Sequence, residues 1–285
     1  MTSTLETILL PTLERIRSLY ASTAGVCAGR MRALVVKPGW NVVLGTEGQH
    51  GAAMNFGGYE ESSLDTDTVR TWVGMPLLDV AELALRRASW HERSVGIASL
   101  SALSQPFLTP NALTARGIAV ADRDFAHQLE TEDRVALVGF GGWVSRLRGR
   151  CREVHVTDLR PRDAFQAMVI ADTITYSPDW VHVHGPEDNP KVLERADAVA
   201  VTGSALVNGT IADLLEWSRP ARLVCVYGAS AAFIPDVLFE RGVHLVQAHR
   251  VSDPRAFEEG MLEEMNLEAT IQRTQTFQTL RRNAS

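Results

Sequence analysis

Six short apolar runs alternate with helix-like stretches through the second half of this chain: Val135 to Val138, Val154 to Val156, Val181 to Val183, Ala198 to Val201, Leu223 to Val226 and Val243 to Val246. A run that is apolar at nearly every position, rather than at every second one, suits a strand covered on both faces. Strands separated by helices need crossover connections, which favour a parallel sheet. The alternation therefore predicts a Rossmann-like, doubly wound domain.

The first half obeys a different pattern. Leu5, Ile8, Leu9, Leu13, Ile16 and Leu19 recur at three- and four-residue steps and predict an amphipathic helix that Pro11 kinks or restarts. Met31 to Val36, Asn41 to Leu44 and Gly51 to Phe56 read as short strands punctuated by Pro38-Gly39 and Gly45, with helices over about 76–88 and 94–103. With 285 residues there is room for two cores. The prolines and small polar residues over 106–116 place the division there. The expected fold class is α/β: a small α+β domain over 1–110, then a Rossmann-like sheet over 111–285. The stretch from Pro254 to about Gln278 reads as a terminal helix pair, and Arg281 to Ser285 as a frayed end.

Charge narrows the partners. Twenty-eight Lys and Arg against 34 Asp and Glu give a net charge of −6, and no basic field is left for nucleic acid. Three widely spaced cysteines, Cys27, Cys151 and Cys225, speak against a disulfide framework. The amino terminus lacks the basic start and continuous apolar stretch of a signal peptide, and no run approaches the roughly 20 apolar residues of a membrane span. The expectation is a cytoplasmic protein whose partner is a small molecule, with a homodimer left open.

Val135 to Val138 runs into Gly139-Phe140-Gly141-Gly142-Trp143. Glycines after a strand allow a tight turn and let a ligand approach the backbone. The next strand ends at Asp158, 19 positions after Gly139, and a ribose-binding carboxylate lies about 20 residues on in this kind of unit. The third glycine of the dinucleotide motif and any P-loop triplet are missing, so a pyrophosphate is disfavoured. The reading ranks S-adenosylmethionine first and NAD second, with Glu187 or Asp188 placed for the adenine side. Ligands gather beyond the carboxyl ends of parallel strands. That adds Thr202, Ser204, Asn208 and Thr210 to the cofactor side, and Gly228, Ser230 and the distant Tyr59 to the substrate side. Thr210 as a helix cap and Asn208-Gly209 as a turn are the plainer alternatives.

Taken together, Thr202 to Thr210, Gly228-Ala229-Ser230 with Pro235, Arg241-Gly242-Val243, Val251-Ser252-Asp253 and Arg93 to Leu103 resemble the family of heavy-metal chelation proteins. The resemblance implies a smaller domain similar to the enolase amino-terminal fold, a Rossmann-like domain after it, and a site in the cleft between them linked to metal-chelator or small-molecule biosynthesis. Ala229 stands where that family often has proline, and Ser101 where it usually has asparagine.

His182 and His184 lie two apart on one strand face and His155 on a neighbouring strand, a set that suits zinc or another borderline metal. Burial at the centre of a two-sided sheet would deny an ion entry, so satisfied histidines are the simpler expectation. Tyr59, Trp72, Trp143 and Tyr176 are candidates to stack on adenine or face a cation. The sequence names no catalytic base. It supports an S-adenosylmethionine enzyme (methyl or aminocarboxypropyl transfer, or cyclisation of that group), with metal or metal-chelate binding without turnover as the alternative.

Overall fold

The computed structural model describes residues 3–56, 64–141, 143–160, 180–263 and 267–283. A one-turn π-helix over Leu5–Leu9 passes directly into α1 (Leu10–Ser22), with Pro11 just past the junction, where its missing N–H removes one bond of the helical ladder and the wider π turn precedes it. Three antiparallel strands follow, β1 (Met31–Lys37), β2 (Trp40–Gly45) and β3 (His50–Met54), in the order β1-β2-β3. Behind them come α2 (Thr66–Trp72), α3 (Leu77–Leu85) and α4 (Trp90–Ser104).

Helix α4 is buried on every side from Ser94 to Ser104. A helix without a polar stripe belongs in a core, and its serines are tolerated there because each finds an acceptor or donor. The Ser94 hydroxyl donates to the Ala53 carbonyl and that of Ser101 to the Ala232 carbonyl, while Ser104 Oγ accepts from the Ile234 N–H. The helix thus joins the small sheet to the second half of the chain.

The large sheet has eight strands in the order β4-β11-β10-β9-β8-β5-β6-β7. These are β4 (Ile118–Val120), β5 (Arg134–Val138), β6 (Glu153–Thr157), β7 (Val181–His184), β8 (Ala198–Thr202), β9 (Leu223–Tyr227), β10 (Leu245–Val251) and β11 (Gln275–Arg282). The six from β5 to β10 are mutually parallel, and β11 is antiparallel to both neighbours. Alternate residues serve opposite faces. Ala136, Val199 and Val201 join the core shared with α1, α3 and α4, while Val135, Leu137, Ala198 and Ala200 join a second core with Phe125, Trp143 and Leu147. Cover on both faces is why those strands read as continuous apolar runs.

The carboxyl terminus holds the expected pair of helices but ends in a strand where a frayed end was expected. Helices cover Pro254–Leu262 and Leu267–Thr274, but Gln275 to Arg282 pairs as β11 with both β10 and β4. The sheet itself holds this segment: buried Gln247 donates from Nε2 to Thr279 Oγ1 at 2.8 Å and accepts the Phe125 N–H through Oε1. No helix among the described residues is long and apolar enough to cross a membrane.

Candidate functional site

From β5 the chain steps outward through β6 to β7, then returns to the other side of β5 and continues through β8, β9 and β10. The order reverses between β5 and β8, and connections leaving a reversal point part to opposite faces and open a crevice. Gly139 ends β5 there with φ +92°. A Cβ on it would lie 3.0 Å from Thr202 Cγ2 at the end of β8, so the position demands glycine for both conformation and space. At the end of β9, Gly228 has φ +105° and ψ 171°, a region open to glycine alone.

Polar groups converge on these turns. Thr202 Oγ1 donates to Ser204 Oγ at 3.2 Å, and the Ser204 hydroxyl donates to the Met54 thioether at 3.0 Å. Ser230 Oγ accepts the Met54 N–H at 3.0 Å, so the end of β3 seals one side of the crevice. Tyr227 reaches across from β9, its hydroxyl 3.0 Å from the Gly139 carbonyl and 3.2 Å from that of Val138. Burial pushes its pKa up and keeps the phenol a donor.

Asp158, just past β6, is fully engaged. Oδ2 accepts the Phe140 N–H at 2.7 Å, while Arg160 supplies its backbone N–H and two guanidinium bonds at 2.9 to 3.0 Å. Arg160 also donates to the Phe140 carbonyl at 2.9 Å. Burial works to raise the Asp158 pKa, but these hydrogen bonds outweigh it and hold the carboxyl below its ordinary value. Gly141, one residue beyond, has open space where a Cβ would stand.

The structure thus brings Gly139, Phe140, Asp158, Thr202, Ser204, Gly228 and Ser230 to adjacent strand ends. Asn208 and Thr210 are spent elsewhere. Asn208 Oδ1 accepts the Thr210 N–H and hydroxyl, closing a turn whose carbonyls, Val207 and Gly209, are held by Arg93 and Thr4. The same residue types make Asx turns and bind ligands, and here the turn wins. Glu187 sits exposed after β7, its carboxylate folded back over Gly185. Trp72 and Trp143 are core residues. Tyr59, Gly142 and Tyr176 lie outside the described residues. Met54, Tyr227 and Arg160 escaped the sequence reading; Tyr227 and Arg160 each follow a noted residue by at most two positions, whereas Met54 reaches the crevice only through the packing of β3 against it.

A second group lies at the β6–β7 edge. His155 and His182 are cross-strand partners with rings stacked at 4.7 Å. Donor atoms of Glu153, His155 and His182 fall within 4.8 Å of one another. Strand β7 ends the sheet, so these side chains are part exposed, His182 the most, and the full burial expected of a central strand is not found. Glu153 had been missed, although two residues before His155 on one strand share a face. His184 stands one step back, its Nε2 3.0 Å from His155 Nδ1 and its Nδ1 3.6 Å from Asp188 Oδ2. His155 Nε2 is buried and has no hydrogen-bond partner among the described residues. An unpaired imidazole nitrogen beside a second imidazole and a carboxylate fits a borderline divalent metal. Arg134 foremost, with Arg152 adding, pulls the Glu153 pKa down to about 2, so this carboxylate is charged.

A cavity of about 280 Å³ near the start of β9 is lined by Arg219, Arg222, Arg241 and His244. It lies away from the crevice, and Arg222 and Arg219 already pair with Asp133 and Glu216.

Comparison with known proteins places these features. A family model described as "Putative heavy-metal chelation" (DUF364) matches residues 123–268, and a second model of the same description (DUF4213) matches residues 20–104. A DUF364-family protein of unknown function from Desulfitobacterium hafniense superposes with a TM-score of 0.68 at 18% identity, covering 96% of this chain and 99% of that one. Another, from Pyrococcus horikoshii, gives 0.69 at 18% identity over 94% and 98%. A SAM-dependent methyltransferase from Geobacter sulfurreducens, in complex with S-adenosyl-L-homocysteine, aligns over 61% of this chain and 54% of its own at 17% identity, with a TM-score of only 0.27. No curated protein matches.

Proposed function

Because this chain belongs to the heavy-metal chelation family, which sets its fold and not a reaction, we propose its function from the crevice: a small-molecule enzyme that holds S-adenosylmethionine where the strand order reverses. The observation that carries this reading is the convergence of Gly139, Asp158, Thr202 and Ser204 at that point. Among the described residues the charges held there, Asp158 and Arg160, neutralise each other, and the remaining side-chain groups are hydroxyls and a thioether. That inventory suits an adenosyl sulfonium better than a pyrophosphate, which calls for free cations or a longer amide cradle.

The cofactor supplies an electrophilic carbon for methyl or aminocarboxypropyl transfer, or for cyclisation of the latter group. The chain's task is geometry. Asp158 keeps its Phe140 bond and exchanges the two guanidinium bonds of Arg160 for the two hydroxyls of a ribose. Thr202 and Ser204 orient the amino-acid portion, and Ser230 faces the substrate. Metal binding without turnover is the second reading, favoured by Glu153, His155 and His182.

Calorimetry tests the first reading. S-adenosylmethionine should bind, NADH should bind more weakly, and Asp158→Ala should weaken the cofactor by about 100-fold, the scale of two charge-assisted hydrogen bonds. Gly141→Ala meets open space and no positive φ, so its melting temperature should stay put while cofactor affinity falls. Absence of heat with S-adenosylmethionine, or an Asp158→Ala protein that binds it unchanged, rejects the reading.

A further inference from the structure

The cross-strand pair His155 and His182 stands beside Glu153 at the open edge of the sheet, and the tautomer of His155 is legible from its neighbours. Its Nδ1 lies 3.0 Å from His184 Nε2, so one of the two must donate. His184 Nδ1 faces the Asp188 carboxylate at 3.6 Å, which favours a proton on that nitrogen and leaves His184 Nε2 as the acceptor. We assign the His155 proton to Nδ1 on that ground, which leaves a lone pair at Nε2, the atom that is buried with no hydrogen-bond partner among the described residues. A metal-bound imidazole is held in the same way, its far N–H donated to a fixed acceptor that sets ring and tautomer. Glu153 is fixed as well, because Arg134 and Arg152 bond Oε1, leaving Oε2 3.7 Å from His182 Nε2.

We propose that Glu153, His155 and His182 form a binding site for a borderline divalent cation of the zinc class, with His184 and Asp188 as its supporting shell. Bonds of about 2.0 to 2.2 Å draw ligand atoms to roughly 3.3 Å from one another, close to the 3.7 Å of the His155 Nε2–Glu153 Oε1 and His182 Nε2–Glu153 Oε2 pairs. Part-exposed His182 supplies the adjustment and the entry path. Three protein ligands leave a position open, and the two guanidinium groups beside Glu153 weaken the site against any cation. Both features make it an exchangeable site rather than a structural one.

The test uses the full-length protein without a histidine tag. Zn²⁺ is titrated against a chromophoric chelator, and Co²⁺ is followed by its visible absorption. One ion per chain is expected. His155→Ala and His182→Ala should each weaken Zn²⁺ binding at least tenfold, and His184→Ala by about 10- to 100-fold, the range of lost supporting-shell bonds. His127→Ala, an exposed histidine paired with Asp124, should change nothing. In the unaltered protein, Zn²⁺ should shift the imidazole NMR signals of His155 and His182, a readout that survives even if a variant fails to fold. No stoichiometric binding, or binding unchanged in the His155→Ala, His182→Ala double variant, overturns the site, whatever the crevice binds.

Discussion

Gly51→Ala is expected to cost about 3 kcal/mol, the upper end for overpacking a core, and Gly51→Val to leave no stable fold. A Cβ on Gly51 would stand 2.1 Å from the Ala98 carbonyl oxygen and 2.5 Å from the Ala102 nitrogen. The obstacle is the backbone of α4, which no rotamer change can move aside. That backbone is pinned on its other sides, by α3, where Gly96 abuts Leu85, and by the Ser101 and Ser104 bonds to the loop after β9. The strain should reach the crevice, since β3 ends at Met54, which bonds Ser204 and Ser230. Urea unfolding measures the first effect, and a fall in melting temperature of roughly 6 °C should accompany it. Gly141→Ala is the control, expected within about 0.5 kcal/mol of the parent. A loss below about 1 kcal/mol in Gly51→Ala would mean that α4 can withdraw from the sheet as a body.

Such a contact is invisible along the sequence, and that explains what could and could not be read there. The strands β5, β8 and β9 announced themselves because two-sided burial makes a local, apolar signature. Gly139 and Asp158 were legible because their spacing is set by one strand, one turn and one strand, all local. Strand β11 was not, because its polar face is satisfied by Gln247, a residue about thirty positions away that only the sheet brings near. The engagement of Asp158 by Arg160 and Phe140 went unread for a different reason: spacing locates a carboxylate without saying which donors it already has. His155, His182 and His184 were seen as a set, but their exposure depends on β7 ending the sheet, a matter of strand order. Glu153 was hidden by being read as the start of a strand rather than as a side chain on the His155 face.

Asp236→Ala is expected to destabilise the protein by about 3 to 5 kcal/mol, while replacing Asp236 and Arg116 together by Leu and Met should cost far less. Arg116 follows the helix Pro110–Ala115 that links the two halves, and Asp236 opens the helix after the Ser230 loop. Their side chains are only 12% and 7% exposed, with Nε 3.3 Å from Oδ1. The pair is close but poorly aligned. Arg116 Nε and Nη1 and Asp236 Oδ2 make no hydrogen bond among the described residues, and one guanidinium nitrogen alone is anchored, on the Phe107 carbonyl. Burial lowers the Arg116 pKa against the attraction of Asp236, which marks desolvation as the larger effect. Attraction therefore repays the burial of two charges incompletely, and removing both relieves a cost. Removing Asp236 alone strands a guanidinium in the interior, where an uncompensated charge is several times more expensive than a lost contact. A double-mutant cycle by urea unfolding reads the difference as a coupling energy of several kcal/mol. A single Asp236→Ala loss under about 1 kcal/mol would show that water reaches Arg116 once its partner is gone, and that the link between the halves is looser than the packing around it implies.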